Sequence, residues 1–188
     1  MKWWNGIWLN EAFATFMATK AVDKFNPKWE RWVEFGIEKS AAFDVDSLKS
    51  TRPIEYDVIS PDDATAMFDL LTYEKGGAVL RMLEQYVGED KFRDGIRSYL
   101  KKHEFSNTET SDLWDSIEEF SSIPVRETMN TWIFQPGYPR LKFKNNEDKI
   151  EITQETFKYD NVDNEFNWKV PVEIVSNESN KKILLENN

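Results

Sequence analysis

Along residues 8–134 apolar positions recur every three or four residues, the spacing of one helix face; after Pro139 they recur every two, the spacing of one strand face. "WLNEAFATFMATKAVDKF" sets Trp8, Ala12, Phe16 and Thr19 in one stripe with Phe13 and Met17 beside it, and Asn10 is the expected N-cap. A second helix is expected after Pro27, a first-turn residue, with Trp29, Trp32, Val33 and Ile37 as its apolar face. "SPDDATAMF" predicts a helix capped by Ser60, with Pro61 at its first position and two acids in its first turn. "TYEKGGAVLRMLEQYVG" aligns Val79, Leu80, Leu83 and Val87 and stops at Gly88. Three more faces follow: Phe92, Ile96, Tyr99 and Leu100; Leu113, Trp114, Ile117 and Phe120; Val125, Met129, Trp132 and Ile133. "QPGYP" ends the last helix.

The regime changes at 135–139. "LKFKNNEDKIEIT" alternates Leu141, Phe143, Ile150 and Ile152 about an "NNED" turn, which predicts a β-hairpin. "WKVPVEIV" and "KKILLE" are two more strands on either side of "SNESN", and Pro171 marks an edge or a bulge. Three or four strands with one apolar face need a surface to pack on, so the sheet is expected to be incomplete. The pattern as a whole predicts a mainly α chain that ends in strands.

Composition narrows this picture. The 188 residues suffice for one ordinary domain and a small piece of a second. Eight Trp and thirteen Phe in a chain that is 40% hydrophobic point to a packed core, not disorder. A formal net charge of −10 argues against nucleic acid or an anionic membrane as partner. The lack of cysteine excludes a disulfide scaffold and a Cys-ligated metal. No stretch approaches the roughly 18 apolar residues of a membrane span, and the N-terminus carries no signal-peptide pattern. The compartment is not specified by the chain, with a cytoplasmic setting favoured.

Few residues could carry chemistry. Glu11 sits among apolar neighbours at the start of a helix, where an acid favours the helix dipole by a few tenths to about 1 kcal/mol. The sharper reading makes it a metal ligand, but a catalytic zinc needs three protein ligands and an open position. The chain has one histidine, His103, which reads as a solvated residue at a helix end. Tyr73 in "TYEKGG" is either an aromatic packing on the core or a phenol that hydrogen-bonds a developing oxyanion. Gly76 and Gly77 each cost a helix roughly 1 kcal/mol relative to Ala, so something approaches closely there, a second helix being the plainer reading. Asp69, Glu74 and Lys75 flank the tyrosine and read as solvated charges or modest ion pairs without a catalytic part.

"MKWWNGIWLNEAFATFMA", "FDLLTYEKGGAVLRMLEQYVGEDKFRDGIRSYLKKHEFSNTETSDLW" and "TMNTWIFQPGYPRLKF" resemble, in order, the aminopeptidase N type of zinc aminopeptidase. These are gluzincins, with the signature H-E-x-x-H-x18-E. The resemblance reaches "ITQETF" and "WKVPVEI" and covers nearly the whole chain. It implies the helical half of a thermolysin-like catalytic domain over 1–136, followed over 137–188 by the first strands of a β-sandwich. It also implies that Glu11 is the third zinc ligand and that Tyr73 stabilises the tetrahedral oxyanion. Ala12 stands where many relatives have Gly, which is expected to add a methyl beside the ligand.

The H-E-x-x-H segment, with two histidine ligands and the general base, falls outside these residues, as does the Gly-x-Met-x-Asn substrate motif. In an intact relative, zinc activates water for attack on the first peptide bond, and a peptide is the substrate. This chain reads as a fragment: zinc belongs to the intact parent, none is expected bound to this chain, and the chain alone is expected to be inactive. A non-catalytic helical binding module from the same family is the alternative. The face of Trp3, Trp4 and Trp8 is expected to be left open, and residues 141–188 to be the more labile and association-prone part.

Overall fold

The computed structural model describes residues 1–146, 149–159, 166–177 and 180–186. A 3-10 turn, Trp4–Gly6, leads into α1 (Trp8–Phe25). Then follow α2 (Arg31–Asp46), the short α3 (Pro61–Ala66), a π-helical turn over Leu71–Lys75 continuous with α4 (Gly76–Val87), α5 (Glu89–Lys102), α6 (Thr110–Ser121) and α7 (Val125–Ile133). Strands begin at Pro139: β1 (Pro139–Asn146) pairs antiparallel with β2 (Lys149–Thr156), and β3 (Val170–Val175) with β4 (Asn180–Leu185). The mainly α chain ending in strands, read from the change of period, is the architecture observed. Residues 147–148 of the "NNED" turn and 178–179 of "SNESN" lie outside the described residues.

The helices pack because their predicted stripes meet. Trp8, Phe16, Leu80, Leu83, Trp114, Ile117 and Met129 are fully buried in one core. Trp8 stacks on Trp114 with ring centroids 5.5 Å apart. Ser60 caps α3 reciprocally with Asp63, and Gly88 ends α4 at φ +93°. Gly95 lets α5 approach α6 so closely that a Cβ on it would stand 2.7 Å from the Ile117 Cα.

Several expectations are corrected. Asn10 does not cap α1: the 3-10 turn runs straight into the helix, which starts at Trp8, and the Asn10 and Glu11 N–H groups already donate to the Ile7 carbonyl. Trp29, Val33 and Ile37 are exposed, whereas Phe35 and Ala42 are buried, so α2 turns a different face inward from the one its periodicity favoured. Trp32 belongs to both stripes and packs against the core. Leu100 and Phe120 are also exposed, each at the outer margin of its helix stripe.

Among the described residues the strands form two separate two-stranded sheets. Leu141 lies opposite Gln154 and Phe143 opposite Ile152, as the alternation implies. Pro171 sits inside β3, and with only two strands in that sheet each of them is an edge. The strands are tied to the helices at their base. Trp168 is fully buried, and its backbone exchanges two hydrogen bonds with the Gln154 amide, at 2.8 and 2.9 Å. The Trp132 indole of α7 donates to the Lys169 carbonyl at 2.9 Å.

Candidate functional site

Glu11, in the first turn of α1, and Tyr73, in the π-helical turn, are far apart in sequence and meet side by side. Partial burial first, then hydrogen bonding to the Glu11 carboxylate and its charge, raise the phenol's pKa above its ordinary value. Tyr73 therefore stays protonated, and a hydrogen-bond donor, throughout the neutral range. Glu11 also keeps its favourable place in the first turn of α1, at the helix N-terminus.

Glycine explains why the two elements come so close. A Cβ on Gly76 would stand 2.6 Å from the Ala12 Cβ and 3.8 Å from the Trp8 ring. Only a hydrogen fits there, so the start of α4 lies directly on α1. One on Gly77 would stand 3.4 Å from the Phe35 ring. Both glycines serve helix packing. The Ala12 methyl, next in sequence to Glu11, faces Gly76 inside the helix contact.

The π-helical turn is held at both ends by charged groups, among them Asp69 and Lys75, which the sequence left as solvated charges or modest ion pairs. At its start the Asp69 carboxylate accepts from the Leu71 and Thr72 N–H groups at 2.9 and 3.1 Å and pairs with Arg52 at 2.7 Å. Arg52 also donates to the Thr72 hydroxyl at 3.0 Å. At its end Lys75 is buried, paired with buried Asp46 at 2.7 Å. The signal for Lys75 was in the sequence: it stands four residues after Leu71 and four before Val79, both buried. Glu74 has one carboxylate oxygen shielded from solvent with no hydrogen-bond partner among the described residues. Burial and then nearby Glu38 raise its pKa. It opens on a groove of roughly 650 Å³ lined also by Thr15, Glu34 and Glu38.

On the other side, Trp3, Trp4 and Phe68 line an apolar groove of roughly 570 Å³ with Val58 and Ala64. Trp3 and Trp4 are 61% and 41% exposed, as expected of an open face. Trp8 is not part of that face. It is wholly buried, and its indole donates to Glu55 at 2.9 Å and to the Thr110 hydroxyl at 3.1 Å.

A metal test is direct. Glu11 can offer one carboxylate oxygen, but His103 ends α5 with its ring against Tyr99, half-buried and not fully solvated. Among the described residues no three His, Cys, Asp or Glu side chains converge as a metal-holding group, so this chain's residues do not by themselves fit a three-ligand zinc centre. No helix among the described residues is long and apolar enough to cross a membrane.

The model of the peptidase family M1 domain matches residues 1–132. The chain is 45% identical over 187 residues to the tricorn protease-interacting factor F2 of Thermoplasma volcanium, covering 99% of the chain and 24% of that protein. It is 42% identical over 174 residues to the leucyl aminopeptidase of Saccharolobus solfataricus, covering 92% and 22%. It is 38% identical over 188 residues to aminopeptidase M1-D of rice, Oryza sativa, covering 99% and 22%. The chain thus spans about a quarter of the length of these curated relatives.

Proposed function

The chain belongs to peptidase family M1, and from that premise we propose that it forms part of a zinc-dependent aminopeptidase that removes N-terminal residues from peptides. Residues 1–136 are then the helical part of the catalytic domain, and 137–188 the opening of a β-sandwich. The change of hydrophobic period and the end of the family match at residue 132 support that division.

The observation that carries the reading is the meeting of Glu11 with Tyr73. Glu11 would supply one oxygen ligand of zinc, the two histidine ligands coming from outside these residues. Bound zinc supplies Lewis-acid activation of water. Tyr73, kept protonated by burial and by Glu11, donates a hydrogen bond to the oxyanion that develops on the scissile carbonyl. The π-helical turn gives the phenol its place beside α1, a local irregularity of the kind that recurs at functional sites.

On this reading the chain alone holds no catalytic zinc, because one ligand replaces three. Purified chain with added zinc and an aminoacyl anilide is expected to show no turnover. A protein that joins these residues to an H-E-x-x-H segment is expected to hydrolyse the anilide, to lose that activity to a chelator, and to lose most of it on Tyr73→Phe. Removal of one oxyanion donor costs on the order of 10²–10³ in kcat in comparable sites. Chelator-sensitive turnover by the chain alone, or full activity of the Tyr73→Phe protein, overturns the proposal.

A further inference from the structure

Lys75 is a buried cation outside the groups assigned above. Its ammonium pairs with Asp46 at 2.7 Å and donates to the Gly137 carbonyl at 2.9 Å. Asp46 in turn accepts from the Gly137 N–H at 2.9 Å and from the Thr51 hydroxyl at 2.6 Å. Every oxygen and proton of the pair that burial takes from water is thus largely met by protein. Gly137 lies between α7 and β1, at φ +85°, a conformation that suits glycine. The network ties three places together: the end of α2, the π-helical turn, and the crossing from the helices to the strands.

Lys75 and Tyr73 are two residues apart on one helical turn. Side chains at that spacing leave on nearly opposite sides of the axis. A tether on one therefore fixes the rotation of the turn, and with it the direction of the other. The opposite end of the turn is already clamped by Asp69 and Arg52. With both ends held, the turn presents the phenol toward Glu11.

We propose that Lys75 is a positioning residue for Tyr73: its buried contact with Asp46 and the Gly137 carbonyl sets the rotation of the π-helical turn and so couples the helix-to-strand junction to the placement of the phenol against Glu11. The proposal rests on the reading of Tyr73 given above only for its catalytic consequence. A buried ion pair is weak evidence for stability, since well-packed neutral substitutes are often tolerated, while removal of one partner strands a charge. The value of this pair lies in the geometry that it enforces.

The test uses the full 188-residue chain with ¹³C-labelled tyrosine rings, the Tyr73 signal being assigned by its loss in Tyr73→Phe. The paired variant Lys75→Met with Asp46→Asn leaves no stranded charge, and the asparagine oxygen still accepts from Gly137 and Thr51. Expected is a cooperatively folded protein in which the Tyr73 ring signal moves or broadens and its nuclear Overhauser contact with the Glu11 methylenes is lost. The Tyr99 ring, held by its 2.6 Å hydrogen bond to Thr108, stays unchanged and reports the intact core. A folded paired variant that keeps the Tyr73–Glu11 contact overturns the proposal. Should that variant not fold, Gly137→Ala decides. It disturbs the far end of the tether, where a Cβ meets the Lys158 ammonium at 3.3 Å, and the same loss of contact is expected; an unmoved Tyr73 ring overturns the proposal. Failure of the catalytic reading is a separate result, seen as full activity in Tyr73→Phe while the ring signals behave as described.

Discussion

Glu55 shows at the scale of one residue how much a half-buried carboxylate depends on its donors. One oxygen accepts from the Trp8 indole and the Thr110 hydroxyl, the other from the Asn5 amide at 2.9 Å. Burial still outweighs those bonds, and the pKa is raised above the ordinary carboxylate value. A raised folded-state pKa means that the native state holds its proton more tightly than the unfolded chain. The associated stability is present below the unfolded pKa and is lost as pH rises through the folded one. Glu55→Gln mimics the protonated form. Its melting temperature relative to the unmodified chain should therefore be higher at pH 7 than at pH 4, as thermal unfolding followed by circular dichroism at both values will show. A difference that does not grow with pH means that the carboxylate is not strained by burial. None of this was legible in "PIEYD": the donors to Glu55 lie tens of residues away, and only tertiary contact reveals them. Glu11 and Tyr73 were visible because each stands in a specific local motif. Lys75 was misread because its charge outweighed its position on the Leu71–Val79 face.

At the scale of elements the sequence was most legible where a helix has a single apolar stripe, as in α4 and α6, and least where it has two, as in α2. Periodicity counts apolar positions on α2 but does not say which stripe meets a partner; Phe35 reaches the Gly77 side of α4, and Ile37 does not. The contact of α1 with α4 offers a quantitative check. By propensity alone Gly76→Ala gains roughly 1 kcal/mol. The 2.6 Å approach to the Ala12 Cβ reverses the sign, since overpacking a tight contact costs about 1–3 kcal/mol. Ala12→Gly alone is also destabilising, by the lost methyl and the added chain entropy. The two together move one methyl from α1 to α4 across the same gap and should restore nearly native stability. Urea unfolding of the four proteins in this cycle measures the coupling. Simple additivity of the two costs would mean that the helices are not in the contact described.

Across the whole molecule, the longer helices share one core and α3 packs on a smaller cluster of Ile7, Val58 and Met67, while each strand pair stands as a two-stranded sheet joined to the helices at its base. An isolated two-stranded hairpin is marginal in water, so its stability comes from whatever it packs on. For β1–β2 that support is uneven. Gln154 is buried and bonded to the Trp168 backbone, whereas Phe143 and Ile150, on the same face toward the turn, are 62% and 56% exposed. The sequence reading expected residues 141–188 to be the more labile part; the anchored base argues for a gradient within it. Local opening free energies follow buried apolar contact and backbone protection. In hydrogen exchange on a monomeric sample, amides of α4 and α6 should be the slowest, and those near Phe143 and Ile150 should exchange quickly. The Trp168 amide, donating to Gln154 inside the buried base, should fall with the helices and not with the hairpin. Gln154→Ala leaves that amide and the Trp168 carbonyl without their partners and should speed exchange at Trp168 by at least an order of magnitude, with α4 unchanged. If Trp168 in the unmodified chain exchanges as fast as the amides near Ile150, the strands are not anchored through Gln154, and the Trp132–Lys169 bond and the junction at Gly137 are left among the connections that hold them to the helical core.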